Sequence, residues 1–189
     1  PPRPPRRPGP RCGGASAVRR RTGALVREFG APLPTKLGPC GCAVAGLGGV
    51  DGDGVGDVAV GAPFEDPPAG LDAGRAYIFS GASGALLHVL ESPNGELHGE
   101  FGISVARVPD LDNDGAGDLL VGADREDPGS SPTDAGRAYV FSGASGALLF
   151  TLVSPHENYL GLFGFAVSGM AAINGDVRGD LLADGRAHG

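Results

Sequence analysis

Residues 73–87 read A-G-R-A-Y-I-F-S-G-A-S-G-A-L-L, and residues 135–149 read A-G-R-A-Y-V-F-S-G-A-S-G-A-L-L. The two stretches differ at one conservative position, Ile78 against Val140, at an offset of 62. A repeat this close decides the reading of the chain, because each copy must be one unit of an array. The same offset carries F-G-I-S-V-A (101–106) onto F-G-F-A-V-S (163–168), and an offset of 61 carries C-G-C-A-V-A (40–45) onto the first of these. T-G-A-L-V-R-E-F (22–29) falls on S-G-A-L-L-H-V-L (83–90), again at 61. The register opens near residue 22, part-way through a unit, and fades after Leu182 into A-D-G-R-A-H-G. Both ends predict a segment of a longer array.

Each unit carries four strand candidates. In the second full copy they are 101–108, 118–122, 137–142 and 147–153, all short, rich in β-branched or aromatic residues, and bounded by Gly, Pro, Asp and Ser. No stretch sustains a helical period over three turns. The third strand alternates, putting Tyr139 and Phe141 on one face, while the second and fourth are apolar on both, as in sheets packed face to face. S-G-A-S-G between strands three and four supplies the glycines of a tight hairpin. Short four-stranded units repeated radially predict an all-β fold, a fragment of a β-propeller. Strand counts of one, four, four and two give about two and a half four-stranded blades, short of the roughly four to eight that close a ring. The organisation expected is a disordered Pro/Arg-rich tail over 1–21 and blades over 22–189. Within the latter, 22–30 is the last strand of one blade, 38–92 and 99–154 are full blades, and 161–182 is a partial one.

The net charge of −7 hides two opposed parts. Residues 1–21 hold seven arginines and no acid, whereas 22–189 carry eight basic and 22 acidic residues, a net charge of −14. An acidic folded part attracts cations and repels nucleic acid. The arginine-rich start has no aromatics to stack on bases. No apolar run is long enough to span a membrane, and no signal-peptide pattern stands in the chain. Cys40 and Cys42 read as small buried hydrophobes, and Cys12 lies in the tail, so cysteine usage leaves the redox compartment open.

The charge concentrates in D-L-D-N-D-G-A-G-D (110–118). Asp110, Asp112, Asp114 and Asp118 take positions 1, 3, 5 and 9 of one loop. Alternate spacing turns the first three carboxylates to a common side, Gly115 permits the sharp turn, and Ala116 offers a backbone carbonyl. Ca2+ takes six to eight hard oxygens, so a chain that wraps carboxylates around one centre suits it. An EF-hand shares the opening pattern but needs Glu at position 12 and flanking helices; here position 12 is Val121 and the flanks are strand-like. The plainer alternative is a solvated Asp/Gly turn. In the first copy Asp51, Asp53, Val55 and Asp57 take positions 3, 5, 7 and 9, with Gly49 at position 1. In the third, Asn174, Asp176 and Asp180 remain, with Ala172 for the first Asp and Val177 for the turn Gly. Each lost carboxylate weakens the hold, so affinity should run second, first, third.

A Phe-Gly opening a strand, an aspartate-rich loop, then a strand ending in Gly-Ala-Pro resembles the FG-GAP repeats of integrin alpha-subunit propellers and of many secreted bacterial proteins. Phe101-Gly102 and Phe163-Gly164 carry the first element, and Gly61-Ala62-Pro63 the last. Departures are Cys40 for Phe in the first copy, Asp124 for Pro in the second, and loss of Gly-Ala-Pro in the third. The resemblance spans about 22–182. It implies structural calcium in the aspartate loops and a secreted or cell-surface recognition or adhesion protein. It also implies an extracellular protein or glycan partner met through loops 63–73, 91–100, 124–135 and 154–162, whose sequences vary between copies. Further blades of a parent chain would complete the ring. The alternatives are a non-catalytic accessory domain of a secreted enzyme and a gene fragment without function.

No catalytic signature stands in the chain. G-A-S-G-A (81–85, 143–147) is not G-x-S-x-G, the glycines at 46–56 do not form G-x-G-x-x-G before a helix, and His88, His98, His156 and His188 do not recur between copies. The reading is therefore non-enzymatic. Glu65-Asp66 and Glu126-Asp127 read as solvated loop acids. Arg178-Gly179-Asp180 imitates an adhesion tripeptide, but Gly179 and Asp180 align with Gly56-Asp57 and Gly117-Asp118 of the metal loops.

Overall fold

A computed structural model describes residues 14–30, 43–127, 129, 133–170 and 180–185. The described residues form strands and turns only, and no helix among them is long and apolar enough to cross a membrane. β3 (Ala43–Gly46), β4 (Val58–Ala62), β5 (Arg75–Phe79) and β6 (Leu86–Leu90) make one antiparallel sheet in chain order. β7 (Ser104–Val108), β8 (Asp118–Ala123), β9 (Arg137–Phe141) and β10 (Leu148–Val153) make a second. Two two-stranded sheets flank them: β1 (Gly14–Val18) with β2 (Leu25–Gly30), and β11 (Ala166–Gly169) with β12 (Leu181–Asp184). The molecule is a partial β-propeller.

The repeat dictates the register. Leu119, Leu120 and Val121 pair with Phe141, Val140 and Tyr139, as Val58, Ala59 and Val60 pair with Phe79, Ile78 and Tyr77. The strand counts are two, four, four and two, not one, four, four and two, because β1 lies inside the stretch the sequence assigns to the tail. Moved by 61, Gly14–Val18 falls on Arg75–Phe79, but G-A-S-A-V has none of the Arg, Tyr or Phe that mark its counterpart. The hairpin that follows gives the equivalence away. Gly23 N–H donates to the Arg19 carbonyl (2.8 Å), as Gly84 does to Ser80 (2.8 Å) and Gly146 to Ser142 (2.9 Å).

Three apolar layers hold the blades together. Ala59, Ala76, Ile78 and Leu90 of the first full blade meet Phe101, Leu119, Val121, Tyr139 and Phe141 of the second. Phe29 of β2, with Ala15 and Ala17 of β1, packs on Val60, Tyr77 and Phe79. Val167, Leu181 and Ala183 of β11–β12 pack on Leu120, Ala138 and Val140. Both faces of β8 and β9 are thereby covered, so β8 is apolar on both faces past Asp118, whereas the outer strand β10, which reads as apolar on both faces, is exposed or half-buried along its length.

The sequence motif has a packing cause. A Cβ on Gly61 would overlap the Gly102 carbonyl oxygen, and one on Gly122 would overlap that of Gly164. The glycine ending strand two therefore lets the backbone of the next Phe-Gly pair close on it. Gly102 and Gly164 themselves hold φ of 92° and 91°. The preceding phenyl enters the core: Phe101 is fully buried, 5.9 Å from the rings of both Tyr139 and Phe141.

Candidate metal centre

Strands one and two of each full blade are joined by an aspartate loop, so both loops stand on one rim of the array. The loops between strands two and three and those between blades stand on the opposite rim. There they are tied together identically: Glu100 N–H donates to Asp72 O (3.0 Å) and Phe101 N–H to Ala73 O (3.0 Å), as Leu162 does to Asp134 (3.0 Å) and Phe163 to Ala135 (2.8 Å).

In the second loop, carboxylate oxygens of Asp110, Asp112 and Asp118 lie within 4.8 Å of one another. Backbone donors fold the loop around them. Asp110 accepts from Gly115 N–H (2.9 Å, Oδ2) and Asp114 N–H (3.1 Å, Oδ1). Asp112 also accepts from Asp114 N–H (3.2 Å). Gly115 at φ 92° and Asn113 at φ 61° make the turns this wrapping needs. The Gly115 N–H above all holds the Asp110 carboxyl below the usual aspartate range. Asp114 stands apart from the converging group: its Oδ1 accepts Ala116 N–H (2.8 Å) and its Oδ2 the Ser142 hydroxyl (3.0 Å). Ala116 is buried beneath the loop.

Asp118 is fully buried at the base. One oxygen accepts Leu111 N–H (2.8 Å) and the other Gly143 N–H (3.1 Å), so it ties the aspartate loop to the hairpin between strands three and four. Burial, with Asp112 and Asp114 beside it, pushes its carboxyl upward. Asp57 makes the same tie between loop and hairpin in the first blade, accepting Val50 N–H (2.6 Å) and Gly81 N–H (2.9 Å). Asp51, Asp53 and Asp57 converge within 4.8 Å. Asp51 caps Asp53 N–H (3.0 Å) and Asp53 caps Val55 N–H (2.7 Å). Where the second loop has Asp110 the first has Gly49, and the Val55 carbonyl oxygen lies 3.0 Å from where a Cβ there would stand. Of the third loop, Asn174 and Asp176 lie outside the described residues, as do Arg178, Gly179 and all three cysteines; Asp180 stands just before β12.

The donor set fits a hard dication. Three carboxylates per loop offer oxygen ligands only, and each hydrogen-bonded carboxylate oxygen keeps a second lone pair. Asp110, Asp112 and Asp118 would hold the ion in the second loop; Asp114 and the Ala116 carbonyl are the further oxygen donors that the loop sequence offers. Asp51, Asp53, Asp57 and the Val55 carbonyl would do so in the first. Such an ion would cancel the repulsion among carboxylates that converge.

Glu65 and Glu126 depart from the sequence reading. Both are fully buried, not solvated, and accept the hydroxyls of Tyr77 and Tyr139. Arg75, buried beside Glu65 (3.5 Å), also pairs with Glu91 (2.7 Å). Burial pushes both glutamates upward. Their partners Asp66 and Asp127 are exposed and half-buried. The signal was present: glutamate and tyrosine recur together in both copies, which solvated loop acids have no reason to do.

The FG-GAP repeat family matches residues 45–79 and 101–141. Mouse integrin alpha-3 is 33% identical over 152 residues, covering 75% of this chain and 14% of that protein. Human integrin alpha-11 is 34% identical over 142 residues, covering 70% and 11%. Drosophila melanogaster integrin alpha-PS2 is 31% identical over 151 residues, covering 70% and 10%. The chain spans a small fraction of the length of these relatives. The matched spans run through the first three strands of both full blades and through both aspartate loops: the chain carries FG-GAP repeats, similar to those of integrin alpha subunits.

Proposed function

We propose that this chain is a calcium-stabilised, non-enzymatic propeller segment of a secreted or cell-surface recognition or adhesion protein. The observation that carries the reading is the convergence of three carboxylates at the same place in both full blades, within 4.8 Å each time. Calcium sites of extracellular modules have Kd of roughly 10⁻⁴–10⁻³ M. At about 1 mM Ca2+ each occupied loop then stabilises the fold by about 0.4–1.4 kcal/mol. The ions act on structure: they clamp the loop to the hairpin beside it and leave the opposite rim for partners. Loops 63–73, 91–100, 124–135 and 154–162 present that rim, and an extracellular protein or glycan is the partner class.

Thermal unfolding in calcium, magnesium and chelator tests the first half of this reading. Calcium is expected to raise the melting temperature and magnesium to do so less, since Mg2+ demands stricter octahedral geometry; equal melting in calcium and chelator overturns it. The second half is tested by binding to matrix-protein and glycan arrays. A variant with 91–100 replaced by Gly/Ser should keep calcium-dependent melting and lose binding; unchanged binding would move the partner site elsewhere.

A further inference from the structure

We infer that Asn94-Gly95 is a self-modifying site, where the asparagine amide converts to a carboxylate through a cyclic imide and the new charge unties two loops of the rim opposite the aspartate loops. The chain has four asparagines, at 94, 113, 158 and 174. Asn113 is followed by Asp114 and Asn158 by Tyr159, whereas Asn94 is followed by glycine; Asn174, also before a glycine, lies outside the described residues. The conversion needs the next backbone nitrogen to reach the side-chain carbonyl carbon, and a side chain on the following residue stands in the way. Glycine has none.

The pair stands in an open turn. Asn94 is exposed. Ser92 Oγ accepts Asn94 N–H (3.1 Å) and Gly95 N–H (3.3 Å), which bends the chain there, and Gly95 takes φ 37°. The Asn94 side-chain amide meets Glu96 Oε2 and the Asp127 carbonyl at 3.5 Å each, longer than an ordinary hydrogen bond, so little restrains it. The next blade junction builds the same turn without the reactive pair. There His156 N–H donates to Ser154 Oγ (3.1 Å), and His156-Glu157 occupies the place of Asn94-Gly95. The turn itself therefore does not require Asn-Gly. Solvent hydroxide takes the Gly95 amide proton, and the nitrogen attacks Asn94 Cγ. The new N–C bond closes the imide as the Cγ–Nδ2 bond breaks, and ammonia leaves with a proton returned from water. Water then opens either imide carbonyl: opening at Cγ gives aspartate, and opening at the α-carbonyl gives isoaspartate. The balance is water consumed and ammonia released, with no oxidant or reductant.

Glu96 is the knot that the conversion loosens. Its Oε2 accepts Asp127 N–H (2.8 Å) and so joins loop 91–100 to loop 124–135. The Asn94 amide points a donor at that same oxygen and at the Asp127 carbonyl. A carboxylate at 94 has no donor to offer and repels both. Isoaspartate does more, because it inserts an extra backbone atom between the two N–H groups that Ser92 Oγ holds. The conversion proceeds whatever the rim binds, and it runs in one direction only.

Ageing of the whole chain in mildly alkaline buffer, followed by tryptic digestion and mass spectrometry, tests this. Cleavage after Arg75 and Arg107 isolates fragment 76–107, in which Asn94 is the sole asparagine. That fragment should gain the mass of an amide-to-acid exchange and split into aspartate and isoaspartate forms. Its conversion should run at least about 10-fold faster than at Asn113 or Asn158, where the attacking nitrogen is hindered, and should speed up with hydroxide concentration. Asn94→Gln should leave the fragment mass unchanged. Hydrogen exchange reads the consequence: the Asp127 amide should exchange at least about 5-fold faster in Asn94→Asp than in the parent, from two carboxylates about 4 Å apart in water. Aged parent chain should show the same acceleration over fresh chain, without any substitution. A fragment 76–107 that keeps its mass, or converts no faster than Asn158, overturns the site. Asp127 exchange unchanged in both Asn94→Asp and the aged chain overturns the untying.

Discussion

Asp118 and Asp112 belong to the same cluster but are held for different reasons, and the difference is measurable without any ion. Asp118 is fully buried, and its two oxygens accept Leu111 N–H and Gly143 N–H from two separate loops. In Asp118→Asn the amide nitrogen must face one of those donors, leaving a buried N–H unpaired at about 1–3 kcal/mol. The surviving bond loses its charge assistance, which adds about 1 kcal/mol. Relief of the repulsion from Asp112 and Asp114, which helps to push Asp118 upward, offsets part of this. The net cost in chelator is about 2–3 kcal/mol, or a fall in Tm of roughly 5–10 °C for a chain of this size. Asp112 is exposed and accepts one backbone bond of 3.2 Å, from an N–H that Asp110 also accepts. Asp112→Asn in chelator should therefore stay within about 0.5 kcal/mol of the parent. Differential scanning calorimetry of both variants in chelator reads the two numbers. Equal costs, or a loss under about 0.5 kcal/mol for Asp118→Asn, would refute the reasoning, because the base of the loop would then not be a structural tie.

Other perturbations follow from the same contacts. Gly122→Ala puts a methyl into the Gly164 carbonyl and should cost about 1–3 kcal/mol or more by overpacking, read as a lower urea midpoint at unchanged slope. Tyr139→Phe removes the hydroxyl that Glu126 accepts and should cost about 1–3 kcal/mol; a neutral result would mean the buried carboxyl does not need that donor. Asp124 stands where the first copy has Pro63, is buried with one oxygen unpartnered, and is pushed up to about 7 by burial first and by Glu100 second. Its folded-state pKa lies above the unfolded value near 3.9, so the stability its proton contributes is complete below about pH 4, declines with rising pH and is gone above about pH 7. Asp124→Asn should raise Tm at pH 8 and flatten the decline between pH 4 and 7; an unchanged profile would remove Asp124 as its source.

The blades were legible because the offset of 61–62 fixes strands, turns and register together, and the paired strands follow it residue for residue. β1 was not, because Gly14, Ala15 and Ser16 carry neither strand propensity nor the marks of the repeat; only position relative to the 19–23 hairpin identifies them. The aspartate loops could be found from spacing, but spacing treats positions 1, 3, 5 and 9 alike. The fold separates them: Asp118 and Asp57 are anchors at the start of strand two, while Asp114 leans toward the Ser142 hydroxyl of the neighbouring hairpin. That division depends on contacts about 25 residues distant in sequence, which no local pattern encodes. Glu65 and Glu126 were misread for the same reason, since their tyrosine partners come from strand three.

Calorimetric titration of the chelator-treated chain with Ca2+ bears most directly on the two-loop reading. Two binding events are expected, the tighter abolished by Asp112→Asn and the weaker by Asp53→Asn, each variant leaving the other event in place. Absence of binding heat, or calcium binding indifferent to both substitutions, would contradict it.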